Sequence, residues 1–383
     1  MSERADVVVV GAGPGGATTA YRLASAGARV VLLDRATFPR DKPCGGGLTG
    51  RALRVQPIDV SPVVEDGVTT LDLRLRYGRV VRRSFAEPLA LMTQRRLLDA
   101  HLAASAADAG ADFRDGVRVR GIETGPDGGV VSLEGGGRVA ADVVIGADGA
   151  NGVSAKAMDL GADKSFGVAL EGNAPMTPER EAWHRSRATL EMATVPGGYA
   201  WVFPKGDHVN LGVGGWAAEG PNLRVHLDRL CRAHGVDPSE LSEVRGHRLP
   251  LRRAWDGVAR GRAAVVGDAA GLIDPLSGDG MFEAFLSSSL VSEAALDVLA
   301  GRADGLEPYG ERLQRALAGH AATAWAARAA LERIPATTWS VLRWKPSARF
   351  LAHRLATVPP EVRVPLIGGV ERAARRALGP AAA

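Results

Sequence analysis

The sequence predicts an α/β protein with a parallel sheet covered by helices, a separate antiparallel sheet and a helical C-terminal segment. Three observations lead to this fold class. A strand of consecutive valines ends in a glycine-rich turn near the N-terminus, further apolar strands end in Gly-Asp or Asp-Gly turns, and alternating apolar and polar stretches lie between them. Continuous apolar strands are typical of parallel sheets buried on both faces, whereas alternation is typical of antiparallel sheets with one exposed face.

The N-terminal segment is predicted to form a strand, a helix and a second strand. The strands cover residues 6–10 and 29–33, and the helix covers residues 17–26. A Gly-X-Gly-X-X-Gly pattern separates the first strand from the helix, and an acidic residue follows the second strand. This arrangement is the fingerprint of a Rossmann-like βαβ unit that binds a dinucleotide.

Individual residues of this fingerprint have distinct predicted roles. Gly11 permits the tight turn, Gly13 lets the backbone approach a pyrophosphate, and Gly16 allows close packing of the helix. The helix N-terminus presents unpaired N–H groups and the positive end of its dipole to the phosphates. Asp34 is placed to accept the ribose hydroxyls of an adenosine, and Arg35 beside it is included in the predicted nucleotide site.

A segment far downstream distinguishes a flavin nucleotide from a nicotinamide nucleotide. A short apolar strand over residues 262–266 is followed by Gly267 and Asp268, whose carboxylate can hydrogen-bond a ribityl chain. The next helix begins near Met281, and its dipole would stabilise the negative charge that a reduced flavin carries at N1 and C2=O. Three loop residues that let the chain pass beside a flat ring complete the site: Pro275, Gly278 and Gly280. FAD is therefore the predicted cofactor.

A third strand, residues 139–145, runs into an Asp-Gly turn at Asp148. In their order and spacing the three motifs resemble the FAD-dependent oxidoreductase superfamily that contains aromatic hydroxylases, flavin-dependent halogenases and geranylgeranyl reductases. The resemblance implies that Asp148 belongs to the cofactor site and that Arg95 lies near the ribityl and phosphate region of FAD. The alternative for Arg95 is a solvated arginine at the start of a helix.

Two further segments narrow the resemblance. Residues 38–47, which include Cys44, Gly45 and Gly46, are similar to the Cys-Gly-Gly segment of geranylgeranyl reductases, and residues 199–206 are similar to their YxWxFP motif. The resemblance covers roughly residues 5–300. It implies that Cys44, Gly45 and Gly46 lie beside the flavin.

The aromatic residues of the second segment share one face of a predicted strand, because Tyr199, Trp201 and Phe203 alternate in sequence. Such a face could grip a hydrocarbon chain, or it could be the core face of a sheet. We assign Cys44, Tyr199 and Trp201 as candidate catalytic residues, with Cys44 and Tyr199 as possible proton donors.

These placements predict a discontinuous domain organisation. The strands of the antiparallel sheet, which is expected to cover the flavin, are predicted at residues 69–76, 79–85, 188–193, 199–203 and 209–215. The FAD-binding domain comprises residues 1–65, 93–160 and 255–300, the antiparallel substrate domain comprises residues 66–92 and 161–254, and the helical C-terminal region comprises residues 301–383.

Composition limits the class of protein. With 46% hydrophobic residues the chain can bury a large core, yet no apolar run is long enough for a transmembrane span and no cationic leader precedes the first strand. Two cysteines cannot build a disulfide scaffold, and no Cys/His cluster has metal-ligand spacing, so no metal is predicted. A net charge of +4 spread over this length does not indicate nucleic-acid binding. We expect a cytoplasmic location, and the sequence leaves the oligomeric state open.

The C-terminal region has a different pattern. Residues 307–333 form a predicted alanine-rich helix, and residues 339–376 combine tryptophans and aliphatic residues with many arginines. A basic amphipathic segment of this kind can lie at a bilayer interface, which would place the protein peripherally on the inner membrane face. The alternative is a helical cap on the catalytic domain with a solvated basic face.

The motifs predict a redox enzyme without its own NAD domain, because no second glycine fingerprint follows a strand. Electrons must come from NAD(P)H or a small redox protein that docks transiently. The resemblance implies reduction of C=C bonds in a hydrophobic polyprenyl lipid or quinone side chain by hydride from reduced flavin. Alternatives are a flavin-dependent monooxygenase or halogenase of specialised metabolism and, from another class, a lipid-binding protein without flavin.

Overall fold

The computed structural model describes residues 3–161, 164–253, 255 and 257–344. Its strands are β1 Glu3–Val10, β2 Val30–Leu33, β3 Gly47–Thr49, β4 Val64–Val68, β5 Thr70–Leu75, β6 Arg79–Ser84, β7 Ala90–Thr93, β8 Asp112–Arg114, β9 Val119–Gly125, β10 Gly128–Leu133, β11 Arg138–Gly146, β12 Lys164–Pro175, β13 Arg187–Met192, β14 Tyr199–Pro204, β15 His208–Trp216, β16 Ser242–Arg252, β17 Ala259–Arg260 and β18 Ala263–Val265. Its α-helices are α1 Pro14–Ser25, α2 Gly50–Val55, α3 Arg95–Asp108, α4 Ser154–Ala157, α5 Pro178–His184, α6 Leu223–Ala233, α7 Met281–Leu299, α8 Glu307–Arg333 and α9 Pro335–Leu342.

The first sheet has the order β17–β18–β11–β1–β2–β8, with β10 and β9 attached to β11 as an antiparallel meander. Strands β18, β11, β1, β2 and β8 run parallel, with β1 near the centre. The valines of β1 are buried because β1 lies between β11 and β2 and α1 packs against both β1 and β2. The predicted α/β class with a Rossmann-like βαβ start is confirmed.

The second sheet has the order β16–β12–β15–β14–β13–β5–β6. All five strands predicted from alternation belong to it, and its strands pair in the antiparallel direction as predicted, except that β13 runs parallel to β5. Alternation reports which face of a strand is buried and carries no information about the direction of its neighbour. Strands β12 and β16, at one edge, were not predicted.

A third sheet of three short strands, β3–β7–β4, connects the two larger sheets. It was not predicted, since its strands are only three to five residues long. Strand β3 directly follows the Cys-Gly-Gly segment, and Thr93 at the end of β7 donates its backbone N–H to the carbonyl of Gly46 over 2.9 Å. The small sheet therefore anchors that segment between the two large sheets.

The C-terminal helix α8 spans the predicted residues Glu307–Arg333. Helix α9 follows, and its Trp339 is only 2% exposed, packed with Val68, Leu71 and Leu73 against the second sheet. This part of the region is thus a cap. The predicted basic amphipathic segment is described only as far as Trp344, and residues 345–376 lie outside the described residues.

No helix in the described part of the chain combines the length and the apolar character needed to cross a membrane. The first sheet is assembled from strands in three separated stretches of the chain, residues 3–33, 112–146 and 259–265. The exact division into domains stays a prediction. Cys231, which lies on α6, is fully buried in the core of the second sheet, and both cysteines are free thiols.

Candidate active site

A cavity of about 770 Å³ lies between the first and second sheets. Seventeen of the predicted site residues line it: Gly11, Gly13, Asp34, Arg35, Cys44, Gly45, Gly46, Arg95, Asp148, Tyr199, Trp201, Gly267, Asp268, Pro275, Gly278, Gly280 and Met281. Only Gly16 does not line it. A Cβ at Gly16 would lie 1.8 Å from the carbonyl oxygen of Gly11, so this glycine lets α1 pack onto the turn.

The glycine-rich turn forms one end of the cavity. Gly11 has a φ of +103°, and a Cβ there would lie 2.5 Å from the carbonyl oxygen of Ala147. Gly13 is the N-cap of α1 and has no side-chain cap. Pro14 at the first helical position has no N–H, and Gly15, which carries the first N–H of the helix, lines the cavity. Asp34 accepts the backbone N–H of Ala12 over 2.8 Å, which holds its carboxylate against the turn.

Two arginines share one buried carboxylate beside this turn. Arg95 donates from Nε and Nη2 to Asp99 over 2.8 and 2.7 Å, and Arg40 donates from Nη1 to the same carboxylate over 2.5 Å. Burial lowers the pKa of Arg95, but the charge of Asp99 outweighs burial and raises it. The trio keeps a net positive charge next to Gly13. Arg95 is only 5% exposed and is not a solvated arginine; sequence reasoning missed Arg40.

The loop before α7 carries the second half of the site. Asp268 lies 3.0 Å from Nζ of Lys42 and 3.7 Å from Nε2 of His247. Burial alone would raise the pKa of Asp268, but Lys42 and His247 outweigh burial and lower it. Neither partner was predicted, because both are distant in sequence. Helix α7 begins at Met281, as predicted.

The carboxylate of Asp148 stabilises the Asp-Gly turn that follows β11. Asp148 accepts the backbone N–H groups of Val153 and Ser154 over 2.7 and 2.9 Å and thereby orders the start of α4. The carboxylate is thus occupied within the turn, while the turn itself borders the cavity.

The three aromatic residues of β14 form a continuous wall, as predicted. Ring centroids are 6.1 Å apart for Tyr199 and Trp201 and 6.3 Å apart for Trp201 and Phe203. Trp201 donates its Nε1–H to Asn210 over 2.8 Å, and the phenol of Tyr199 donates to the backbone carbonyl of Ser277. Burial raises the pKa of Tyr199.

Beyond this wall the cavity continues as an apolar arm, which we define by Leu71 and Leu73 of β5, Leu190 and Met192 of β13, Phe203 of β14 and Leu331 of α8. The parallel pairing of β5 with β13 places these leucines side by side. The arm therefore presents hydrocarbon surface from three strands and one helix, directly beside the loops predicted to hold the flavin.

The Cys-Gly-Gly segment lines the cavity where the loops predicted to hold the flavin meet the aromatic wall of β14. The backbone N–H of Cys44 donates to Oε1 of Glu171 over 2.7 Å, and Nζ of Lys205 donates to the carbonyls of Gly45 and Thr93 over 2.6 Å each. Burial raises the pKa of Glu171 and lowers the pKa of Lys205. Sequence reasoning missed both residues, although Lys205 directly follows the aromatic motif.

One group of side chains has metal-ligand geometry within the described part of the chain. Ligand atoms of Asp274, Glu283 and His320 lie within 4.8 Å of one another. Arg51 stands among them, with Nη1 2.7 Å from Nε2 of His320 and Nη2 3.4 Å from Glu283. Its guanidinium supplies positive charge to these carboxylates, so the geometry is explained by an ion-pair network. The predicted absence of a metal stays a prediction.

The position of Trp201 depends on a glycine of the neighbouring strand. A Cβ at Gly212 would lie 2.0 Å from Cζ2 of Trp201, whereas a Cβ at Gly214 on the same face would meet nothing closer than 3.6 Å. We expect Gly212→Ala to displace the indole, break its bond to Asn210 and lower the free energy of unfolding by about 1 to 3 kcal/mol. Urea unfolding measures this change, and Gly214→Ala is the matched control. Equal stability of the two variants would contradict the expected displacement.

Comparison with known proteins supplies independent observations. Residues 4–323 match a family described as FAD binding domain. The chain is 33% identical over 318 residues to a menaquinone reductase of Mycolicibacterium smegmatis, covering 76% of each chain. It is 30% identical over 329 residues to a chloroplastic geranylgeranyl diphosphate reductase of Oryza sativa subsp. japonica, covering 79% of this chain and 68% of the relative.

A solved structure shares the fold. The structure superimposes on that of a geranylgeranyl bacteriochlorophyll reductase-like protein from Thermoplasma acidophilum with a TM-score of 0.79 and 20% identity. The alignment covers 98% of this chain and 96% of that one. The whole described architecture, including the C-terminal helices, therefore occurs in another protein.

Proposed function

Because the chain belongs to the geranylgeranyl reductase family of FAD-dependent oxidoreductases, we propose that it reduces carbon–carbon double bonds of a polyprenyl lipid. The substrate is of the geranylgeranyl type or is the side chain of a quinone, since relatives named for both kinds of substrate match the chain at 30% identity or more. The observation that carries the proposal is the cavity, in which the flavin loops and the apolar arm are continuous.

FAD is the cofactor, and the residues around the cavity fit it. Gly13 has an ordinary backbone conformation, with a φ of −72°. A Cβ there would make only ordinary contacts, 3.7 Å from Arg40 and 3.9 Å from Arg95. A side chain at this position would therefore clash with no described part of the chain and would occupy cavity space beside the two arginines. We propose that the first N–H groups of α1, together with Arg40 and Arg95, hold the pyrophosphate.

The remaining predicted residues are assigned to other parts of FAD. Asp34 and Arg35 are proposed to bind the adenosine, Asp268 the ribityl chain, and the loop from Pro275 to Gly280 the flavin ring. When bound and reduced, FAD supplies a hydride to the substrate. The turns around Gly11, Cys44 and Asp148 also line the cavity and would help to exclude water from it.

The apolar arm is proposed to bind the hydrocarbon chain. Its described lining next to Trp201 consists of leucine, methionine and phenylalanine side chains, which gain free energy when a polyprenyl chain removes them from water. Arg328 borders this end of the cavity, but its Nη1 donates to the carbonyl of Pro275 over 2.8 Å and its guanidinium stacks 3.8 Å from the ring centroid of Trp216. The arm thus favours an apolar occupant.

Electrons are proposed to come from NAD(P)H or a small redox protein. Contact with a membrane surface is also proposed, because a polyprenyl substrate partitions into bilayers. Three large apolar side chains around α9 are strongly exposed: Ile334 at 52%, Val341 at 54% and Trp344 at 70%. Exposed apolar side chains of this kind are suited to an interfacial position.

The proposal is tested by mixing photoreduced enzyme with a geranylgeranyl lipid or menaquinone under anaerobic conditions in deuterated water. We expect reoxidation of the flavin and a product that gains two deuterium atoms for each reduced bond, because the hydrogen at N5 of a photoreduced flavin also comes from the solvent. Enzyme without substrate is the control and should stay reduced. Product formation that strictly requires O2 and incorporates label from ¹⁸O2 would replace the reductase by a monooxygenase on the same fold.

A further inference from the structure

Glu171 is a buried acid that borders the cavity where its flavin loops meet the aromatic wall. It is 9% exposed, lies on β12 and lines the cavity together with Cys44 and Trp201. We propose that Glu171 is the catalytic acid that donates the proton to the substrate double bond. This inference rests on the proposed function and names the proton donor that the reaction requires.

The position of Glu171 is fixed by contacts with the Cys-Gly-Gly segment. Its Oε1 accepts the backbone N–H of Cys44 over 2.7 Å. A Cβ on the next residue, Gly45, would lie 2.9 Å from the ring of Phe203 and 3.6 Å from Nε1 of Trp201, so this segment lies directly on the aromatic wall. Glu171 therefore reaches the cavity beside the surface on which the hydrocarbon would lie.

The other proton-bearing groups at this junction are less suited to the task. The hydroxyl proton of Tyr199 is donated to the backbone carbonyl of Ser277, and two N–H groups of Lys205 are donated to backbone carbonyls. The sulfur of Cys44 lies 3.4 Å from the backbone nitrogen of Gly46, which donates to it. A carboxylic acid is also intrinsically a stronger acid than a thiol or a phenol.

The electrostatic surroundings of Glu171 favour its protonated form. Burial raises the pKa of the carboxyl, and the hydrogen bonds from Cys44 and Asn210 and the charge of Lys205 only partly oppose this effect. Asp41 raises the pKa further. Arg245, the cross-strand neighbour of Glu171 on β16, donates to Asp41 over 2.8 Å and is thereby paired with that residue. A carboxyl with a raised pKa keeps its proton to higher pH than an ordinary glutamate, which suits the task of a general acid.

Reduction of the double bond requires a hydride and a proton, which reduced FAD and Glu171 supply. The substrate π bond is replaced by two C–H bonds, one formed with a hydride from reduced FAD and the other with the proton of Glu171. Two electrons leave the flavin, which becomes oxidised, and the O–H bond of Glu171 breaks to leave a carboxylate. The carboxylate regains its proton from solvent before the next cycle, and NAD(P)H or a redox protein restores the reduced flavin.

The test compares Glu171→Gln with Glu171→Ala in the FAD-loaded enzyme. Glutamine retains an oxygen that can accept the Cys44 N–H but has no acidic proton, whereas alanine removes both functions. We expect Glu171→Gln to bind FAD normally and to slow anaerobic reoxidation by a polyprenyl substrate by at least about 100-fold. The wild-type rate should decrease as pH rises through the raised pKa of Glu171, and the residual rate of Glu171→Gln should not follow that titration.

A second readout does not depend on substrate. Infrared difference spectra, wild type minus Glu171→Gln at neutral pH, should contain the C=O stretching band of a protonated carboxylic acid. The subtraction removes the contribution of other buried acids such as Glu283, whose pKa is also raised by burial. Absence of the band from this difference overturns the inference. So does a Glu171→Gln variant that reoxidises within threefold of the wild type, since Glu171 would then only position the Cys44 segment. If none of the polyprenyl substrates reoxidises the flavin of the wild type, the proposed function fails. The infrared band still decides in that case whether Glu171 carries a proton.

Discussion

Replacement of Gly13 by valine is expected to yield a folded protein that has lost most of its flavin. The backbone of Gly13 is in an extended conformation open to any residue, and a Cβ would meet no atom of the described residues closer than 3.7 Å. The added side chain would instead occupy the space beside Arg40 and Arg95 where the pyrophosphate is proposed to bind. We expect FAD binding to weaken roughly 10- to 100-fold.

Two other glycines supply the controls. Gly121→Val places the same side chain on β9, where a Cβ meets no atom of the described chain within 4 Å, and should leave both flavin content and stability unchanged. Gly16→Ala should destabilise the fold itself, because its Cβ would lie 1.8 Å from the carbonyl oxygen of Gly11. Flavin absorbance per protein and urea unfolding separate these outcomes. A Gly13→Val protein that retains wild-type affinity for FAD would show that the pyrophosphate lies elsewhere.

Replacement of Arg51 by methionine is expected to produce the largest loss of stability. Arg51 is 2% exposed on α2, and its Nη2 lies 3.1 Å from Asp279 and 3.4 Å from Glu283 at the start of α7. Removing one partner of a buried ion pair leaves uncompensated charge and costs about 3 to 5 kcal/mol. Urea unfolding at neutral pH measures the loss.

The loss of stability in Arg51→Met should depend on pH, and the pKa of a neighbouring carboxyl gives the sign of that dependence. Burial alone would raise the pKa of Asp274, but His320 and the charge of Arg51 outweigh burial and lower it. A lowered pKa stabilises the folded state at pH values above the ordinary value of about 3.9, and this contribution is lost as pH falls further. Arg51→Met removes part of the contribution, so the deficit relative to the wild type should be largest at neutral pH and shrink in acid.

The matched control is Arg260→Met, which removes an arginine from a surface pair. Arg260 and Asp159 have side chains 63% and 89% exposed, so their pairing should contribute less than about 1 kcal/mol. If the two variants unfolded at the same urea concentration, the buried network around Arg51 would have no special role in stability.

The sequence by itself determined the cofactor fold because its signals are local. Gly11, Gly13, Gly16 and Asp34 stand next to a continuous apolar strand, and each is required within a single βαβ unit by backbone geometry or by the nucleotide. The start of α7 at Met281 and the full length of α8 were readable for the same reason. Resemblance of short segments was sufficient to identify the family.

Only the tertiary structure decided which side chains share the cavity. The parallel pairing of β5 with β13, which builds the apolar arm, joins stretches more than a hundred residues apart. The alternation of apolar and polar residues along a strand does not determine which strand it pairs with or in which direction. The partners Arg40 for Asp99, Lys42 for Asp268 and Glu171 for Cys44 are likewise distant in sequence. Burial raises the pKa of Glu171, whereas the charges of Lys42 and His247 outweigh burial and lower the pKa of Asp268. Both effects depend on the folded surroundings of these groups, which no local sequence pattern contains.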